Sequence, residues 1–399
     1  MKRVFFLVLL FPLYLFPLTN HPNSLVISTI QNTSVNYPIR FVLLGDSRNS
    51  DSLPPGVAGD GDSVLSTLRN TINSLNPSPD FVIHSGDFCL RGHRYEYYKY
   101  EAMIDSCNVP WLTVRGNHEL YADEGPFLYD SIFGDSDFVF DYGNARFIFM
   151  SDCQQYHTSS NNYIDYLFEI EQIDWLDSLL YDAESNGLRS FVFAHVPPYI
   201  PGHNTTYCLG DSNYYPQPNY TESHTELFTN TLSNYGVLLA GFGHQHFYDR
   251  YTYNGVHYIV SGGGGGPLVT PLQQAPYGGA FFHFVLFELY QDGTLKGYVY
   301  KKGSSVPDTV YDFTYLSGID NKQRIGRNKI KIETIGKKFL IRSPSVMQNL
   351  KIMSMDGRIV VKEAPGSYFY KGFFQNRGVY FYDIKTKYSI YRGKFIIIE

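Results

Sequence analysis

Six apolar runs of strand length punctuate the first part of the chain, at residues 40–44, 80–84, 110–114, 146–150, 189–194 and 236–240. Segments of helical period lie between several of them. Residues 63–75 put Val64, Leu65, Leu68, Ile72 and Leu75 on one stripe, and residues 95–104, 170–180 and 222–232 behave similarly. Pro77 and Pro79 mark the end of the first of these helices. Near-continuous apolar strands separated by helices predict an α/β body whose sheet is covered on both faces. After Tyr253 the pattern changes to short aromatic strands with tight turns at Tyr253-Asn254-Gly255 and Gln291-Asp292-Gly293. Antiparallel strands therefore finish this body near Lys302, and residues 303–328 read as a connector. From Lys329 onward the runs are short and alternating, at 329–332, 350–353, 379–384 and 395–398, with turn signals at Asp356-Gly357 and Arg377-Gly378. That predicts a small all-β domain, a sandwich.

Charge separates the same two bodies. Residues 318–399 carry 17 Lys and Arg against 6 Asp and Glu, a net +11, which leaves 15 against 32, a net −17, in residues 1–317. A body that acidic lacks the cationic track a nucleic-acid polyanion needs, so no nucleic-acid partner is expected. At the N-terminus, Lys2 and Arg3 precede an uncharged run, 4–18, that contains Pro12 and Pro17. The run is too short and too proline-broken for a spanning helix and predicts a secretory signal peptide over residues 1–19. The alternative is an anchor that is never removed, since no A-x-A cleavage site is present. No later stretch is apolar enough to span, so the mature chain is expected to hold no transmembrane segment. Export would put Cys89, Cys107, Cys153 and Cys208 in an oxidising setting with three possible pairings. Cys153–Cys208 is favoured because both follow strands whose ends should lie on one face, and buried free thiols are the alternative.

The informative polar residues fall where the strands end. The first run enters Gly45-Asp46-Ser47-Arg48, the second Gly86-Asp87 and the third Gly116-Asn117-His118-Glu119. The fifth ends at His195, and the sixth leads to Gly243-His244-Gln245-His246. Ligands of open α/β sheets bind beyond the carboxyl ends of the strands, so these five groups should converge on one rim. Two carboxylates, an amide and up to four imidazoles suit Zn, Mn or Fe better than Ca. Taken singly, a Gly-Asp is usually a turn and a strand-end His a solvated or capped side chain; five in this order argue for a site. His84, His157, His203, His224, His257 and His283 read as structural. The glycines at 262–266 open no helix, and so serve a close backbone approach to the rim rather than a nucleotide loop. Tyr199, Tyr207, Tyr214 and Tyr215 follow His195 in a long loop and are candidates for the cleft wall or plain surface.

These blocks, Gly45-Asp46, Gly86-Asp87, Gly116-Asn117-His118-Glu119, Ala194-His195 and Gly243-His244-Gln245-His246, resemble those of the calcineurin-like metallophosphoesterase superfamily. The stretches from Val109 to Glu119 and from His244 to Gly263 are most similar to its purple acid phosphatase branch. The resemblance covers residues 39–302 and implies a four-layer α/β/β/α sandwich with two metal ions, divalent or trivalent Fe, Zn or Mn. It implies that Asp87 bridges both ions, that Asp46 and His246 hold the first, and that Asn117, His195 and His244 hold the second. A bridging hydroxide then attacks phosphorus in line. His118 is implied to contact the phosphoryl oxygen and protonate the leaving group.

The chain departs from the family at the first ion. Arg48 stands where the superfamily has a His, and Leu90 where purple acid phosphatases have a Tyr. A guanidinium offers no lone pair to a metal. Arg48 is expected to grip a substrate phosphate together with Asn117 and His118, or else to form a salt bridge to a nearby carboxylate. The first site is then weak, completed by another residue such as His93, or filled only with substrate.

The C-terminal stretches 349–360, 377–384 and 393–397 resemble the sorting domain of the type IX secretion system. That resemblance implies secretion machinery as a partner and a secreted or outer-membrane surface location in a bacterium. The alternative is an accessory β-sandwich whose positive charge suits acidic polymers. The expected order is signal peptide (1–19), linker (20–38), catalytic domain (39–302), linker (303–328) and sorting domain (329–399). The function expected is an exported, acid phosphatase-like hydrolase of small phosphate monoesters. A phosphodiesterase or nucleotide hydrolase is the enzymatic alternative, and a non-catalytic metal-binding surface scaffold the other.

Overall fold

The computed structural model describes residues 20–48, 60–157, 162–198, 208–209, 221–270, 278–313, 331–335, 338–365, 367–374, 376–386 and 390–397. In chain order the body comprises α1 (Asn23–Gln31), β1 (Ile39–Leu44), α2 (Asp60–Ser74), β2 (Phe81–His84), α3 (Arg94–Ile104), β3 (Trp111–Thr113), a 3₁₀ turn (His118–Leu120), α4 (Gly125–Phe133), β4 (Phe138–Tyr142), β5 (Ala145–Phe149), β6 (Cys153–His157) and β7 (Asn162–Tyr166). It continues with α5 (Ile170–Ser185), β8 (Arg189–Phe193), α6 (Thr221–Asn234), β9 (Leu239–Phe242), β10 (Tyr248–Tyr253), β11 (Val256–Ser261), β12 (His283–Leu289), β13 (Leu295–Lys301) and β14 (Thr309–Phe313).

Two six-stranded sheets stack face to face, ordered β14-β13-β12-β1-β2-β3 and β10-β11-β9-β8-β5-β4. Their inner faces share a core rich in stacked phenylalanines, among them Phe41, Phe81, Phe147, Phe191, Phe193 and Phe287. The outer face of the first sheet packs Val42, Leu44 and Val82 under the stripe of Val64, Leu68 and Ile72 on α2 and under residues of α3 and α4. On the second sheet, Ile148, Val192 and Ala240 lie under Leu176 of α5 and Phe228 of α6. Both faces of β1 are thus buried along its whole length, which is why it reads as an unbroken apolar run. The architecture is the four-layer α/β/β/α sandwich. β1, β2 and β3 run parallel, as do β5, β8, β9 and β11, so the loops that follow them open on one rim.

Several boundaries differ from expectation. The sixth apolar run forms a strand only from Leu239, because Gly236 (φ +61°) is spent on turning the chain out of α6. Residues 20–38 contain α1, whose Val26 and Ile30 enter the inter-sheet core. Asn20 and Asn23 bond through their side chains to the backbone of Trp111 and Thr113, occupying the edge of β3. Thr309–Phe313, inside the expected connector, pairs with β13 as an edge strand. Its one-sided burial gives too weak an alternation to be seen in sequence. All four cysteines are buried thiols, so the Cys153–Cys208 pairing is not formed. Cys89 and Cys107 sit in the core under α2 and α3, while Cys153 lies in the one under α5. The signal peptide, residues 314–330, His203 and the four loop tyrosines lie outside the described residues.

The C-terminal region is all β: β15 (Lys331–Ile335), β16 (Lys338–Ser354), β17 (Ile359–Glu363), β18 (Ser367–Phe373), β19 (Gly378–Thr386) and β20 (Ile390–Ile397). Its sandwich is made from one sheet rather than two. The first part of β16 pairs with β15 and β18, its second with β17 and β19, with a register shift between Arg342 and Met347. The sheet folds over a small core in which Phe339 meets Phe395 at 5.7 Å. No helix among the described residues is long and apolar enough to cross a membrane.

Candidate metal centre and active site

Each candidate residue sits in the first turn after a parallel strand, and the backbone there is held in an uncommon shape. Asp46 (φ +58°), Asp87 (φ +59°) and His244 (φ +66°) are all left-handed without being glycine. Such strain persists only where neighbours fix it. Asp46 N–H donates to Gly86 O at 2.9 Å and Arg48 N–H to Asp87 O at 3.0 Å, so the first two loops lock together. Gly264 N–H donates to Gly45 O at 2.8 Å and Gly266 N–H to Asp46 O at 2.6 Å, which is the close approach expected of the glycine run. Gly86 (φ +96°) leaves no room for a side chain, because a Cβ there would lie 2.8 Å from His195 Nδ1 and 2.7 Å from Gly116 N.

The imidazoles are aimed by backbone carbonyls. Nδ1–H donates to Ser85 O from His195 (2.7 Å), to Pro267 O from His246 (2.6 Å) and to Leu90 O from His118 (2.6 Å). Those bonds turn each Nε2 into the rim. His195 Nε2 then lies 3.2 Å from Asp87 Oδ1 and 3.1 Å from Asn117 Oδ1. His246 Nε2 lies 3.3 Å from Asp46 Oδ1, and His118 Nε2 3.8 Å from Asp87 Oδ2. His244 presents Nδ1 instead, 3.0 Å from Asn117 Oδ1 and 3.3 Å from His195 Nε2, while its backbone N–H donates to Asp46 Oδ2 at 2.8 Å.

Five side chains from four loops thereby gather as two donor groups with one member in common. Asp46, Asp87 and His246 form one, Asp87, His195 and His244 the other, the ligand atoms of each lying within 4.8 Å of one another. Asn117 Oδ1 adjoins the second. The charges around them favour a cation. Burial would lower the His195 pKa, but the Asp87 and Asp46 carboxylates outweigh it and raise it to about 10. Burial likewise opposes ionisation of Asp87, yet His195 and His118 hold its carboxyl well below the usual range. His244, half-buried with its ring desolvated against the His195 imidazole, is pushed well below an ordinary imidazole and keeps its lone pair. Asp46 Oδ1 is buried and faces His246 Nε2 at 3.3 Å; burial would lower the His246 pKa, but this carboxylate raises it. With Asp46 beside His246 and Asp87 beside His195, each buried carboxylate is balanced by an imidazole proton that a metal ion can displace. The residues fit a pair of ions.

Arg48 does not coordinate. Its Nε lies 3.7 Å from Asp87 Oδ2 and its guanidinium 3.4 Å from His246 Nε2, so the alternative of a salt bridge to a carboxylate is the one drawn here. His93 caps α3 and lies outside both donor groups. His84 is a core residue, bonded to Ser47 Oγ at 2.9 Å, with burial holding its pKa down to about 3.

Two acids escaped the sequence reading. Glu119 accepts N–H bonds from Asp87 (2.9 Å), Cys89 (2.8 Å) and Gly116 (2.8 Å), tying the second loop to the third. Burial and the Asp87 charge raise its pKa to about 8. Its place in Gly116-Asn117-His118-Glu119 was the available signal. Asp152, beyond β5, accepts from Val196 N–H at 2.7 Å and so steadies the residue after His195; it has no motif to mark it. Burial raises the Asp152 pKa to about 6 from 3.8. Its neutral form is favoured by folding, so this stabilisation is present below about pH 4 and lost as pH rises through 6. Relative to Asp152→Asn, wild-type unfolding free energy is expected to fall by about 3 kcal/mol between pH 4 and pH 7 in urea titrations. A flat difference between the two proteins would contradict this.

Residues 39–248 match the family model described as calcineurin-like phosphoesterase. The chain belongs to the calcineurin-like phosphoesterase family. This calcineurin-like phosphoesterase shares its fold with the purple acid phosphatase PPD1 of yellow lupin (Lupinus luteus) seeds, at 19% identity and a TM-score of 0.52 over 68% of this chain and 53% of that one. It therefore spans about half the length of the lupin protein. A dimetal phosphatase from Danio rerio aligns at 18% identity and a TM-score of 0.50, over 70% of this chain and 100% of that one. Likeness at these identities is likeness of fold. No curated protein matches the chain. Within that fold, the two donor groups that share Asp87 are the residues able to hold metal ions.

Proposed function

We propose that this phosphoesterase hydrolyses phosphate monoesters. Asp46, Asp87 and His246 would hold one metal ion, and Asp87, Asn117, His195 and His244 the other. The observation that carries the reading is the sharing of Asp87 between two donor groups. Two cations there would make water nucleophilic at neutral pH and offset charge on the phosphoryl oxygens. His118, aimed by Leu90 O with Nε2 near Asp87, protonates the departing alcohol oxygen. Arg48 closes the rim beside Asp87, and its fork suits a phosphate oxygen once substrate arrives. Export by the N-terminal segment, and sorting by a β domain whose three resembling stretches fall on β16–β17, β19 and β20, complete the proposal, with the domain limits given above.

The test is hydrolysis of mono- and bis-p-nitrophenyl phosphate after chelation and re-addition of Mn, Zn or Fe. Monoester turnover is expected to vanish on chelation and return with metal. Arg48→Ala is expected to raise KM with little change in bound metal. Preference for the diester would favour a phosphodiesterase, and no turnover with any metal would favour a scaffold.

A further inference from the structure

We propose that the open cavity beside His118 is a leaving-group subsite for flat aromatic alcohols, an inference that rests on the monoesterase reading above. The cavity has a volume of about 490 Å³ and is lined by Leu90, Arg91, His93, His118, Tyr121 and Ala122. That is the size of a small-molecule pocket. Its position follows from His118, which is both part of this wall and 3.8 Å from Asp87 Oδ2. A phosphoryl group held at Asp87 with its ester oxygen at His118 directs the organic group into the cavity.

The chemistry of the wall selects rings. Tyr121 lies 4.4 Å from His118, tilted by 56°, and its hydroxyl accepts from Asn117 Nδ2 at 3.0 Å, so the ring is pinned from the site side. His93, also in the wall, is backed by Tyr95, whose ring stacks on it at 5.9 Å and 21°. Tyr121 is about half exposed, leaving aromatic surface for a guest. Leu90, standing where the purple acid phosphatase pattern has a tyrosine, contributes an apolar surface, and Arg91 offers a cation to a π face. Because His118 belongs to the cavity wall, an aryl or arylmethyl phosphate with its ester oxygen at His118 would set its ring in the cavity. Hydrolysis would break the bond from phosphorus to that oxygen and form one to water oxygen. The alcohol leaves with the proton held on His118, and the proton given up by water restores it.

Benzylphosphonate and n-propylphosphonate, which cannot be hydrolysed, separate this subsite from catalysis. With the full chain in Mn, calorimetric titration is expected to give about tenfold tighter binding of the benzyl compound. Ala122→Trp, which fills the cavity, should bring the two dissociation constants to within about twofold, whereas Tyr121→Phe should keep the preference. Equal affinities in the wild-type chain, no binding of either compound, or a preference untouched by Ala122→Trp would overturn the proposal. Turnover of benzyl and n-propyl phosphate, whose alcohols are similarly acidic, is read separately. Absence of turnover with a retained benzylphosphonate preference would sink the monoesterase reading and leave the subsite standing.

Discussion

Asp87→Asn is expected to lower kcat/KM for p-nitrophenyl phosphate by about 10³ or more, the upper range for loss of one preorganised electrostatic contact. Asparagine keeps the shape and can still accept the His118 N–H bond that Asp87 Oδ1 receives at 2.9 Å. What it loses is the charge that two donor groups share. Bound metal, measured by atomic emission after dialysis, should therefore fall at both positions, not at one. His195 should change with it, since the Asp87 carboxylate is the strongest influence raising its pKa. Retention of full metal content, or activity within about tenfold of wild type, would mean that the shared position is not the centre of the chemistry.

The second large effect is expected from His118→Ala, and its size should depend on the alcohol. Loss of a general acid costs roughly 10²–10⁴ when the leaving group needs a proton, as benzyl alcohol does, and far less for an acidic phenol such as p-nitrophenol. The pH profile supplies an independent reading. Burial holds the His118 pKa below an ordinary imidazole, opposed by Asp87 and reinforced by Arg48. A lowered pKa means that the acid form disappears as pH rises through a value on the acidic side of the usual one. The alkaline limb of kcat should accordingly lie at acid pH, vanish in His118→Ala, and move upward in Arg48→Ala. An alkaline limb unchanged in His118→Ala would remove the imidazole from the mechanism.

The strand-end residues were legible because two local rules coincide. A strand buried on both faces, such as β1, must be apolar throughout, so the polar residue that follows it marks its carboxyl end without ambiguity. Parallel pairing then brings such ends to one rim whatever their separation in sequence. Helices α2, α3, α5 and α6 were legible from their period, and the hairpin at Asn254-Gly255 from a turn that needs positive φ, found at +48° and +81°. The strand at Thr309–Phe313 and the helix at Asn23–Gln31 were missed, since an edge element with one packed face carries little pattern until its partner is known.

What the sequence determined by itself is the layered α/β body, the all-β C-terminal region and the side chains that meet at the rim. All of these follow from local periodicity and from the direction of parallel strands. Which of those side chains touch was decided only by tertiary structure. The left-handed turns at Asp46, Asp87 and His244, the carbonyls that fix each imidazole and the three N–H groups converging on Glu119 join loops far apart in the chain. So do the pairing of Arg48 with Asp87 and the burial of four thiols in place of a disulfide. A residue's type states what it can bond, but distance and direction to a partner outside its own element are set by packing.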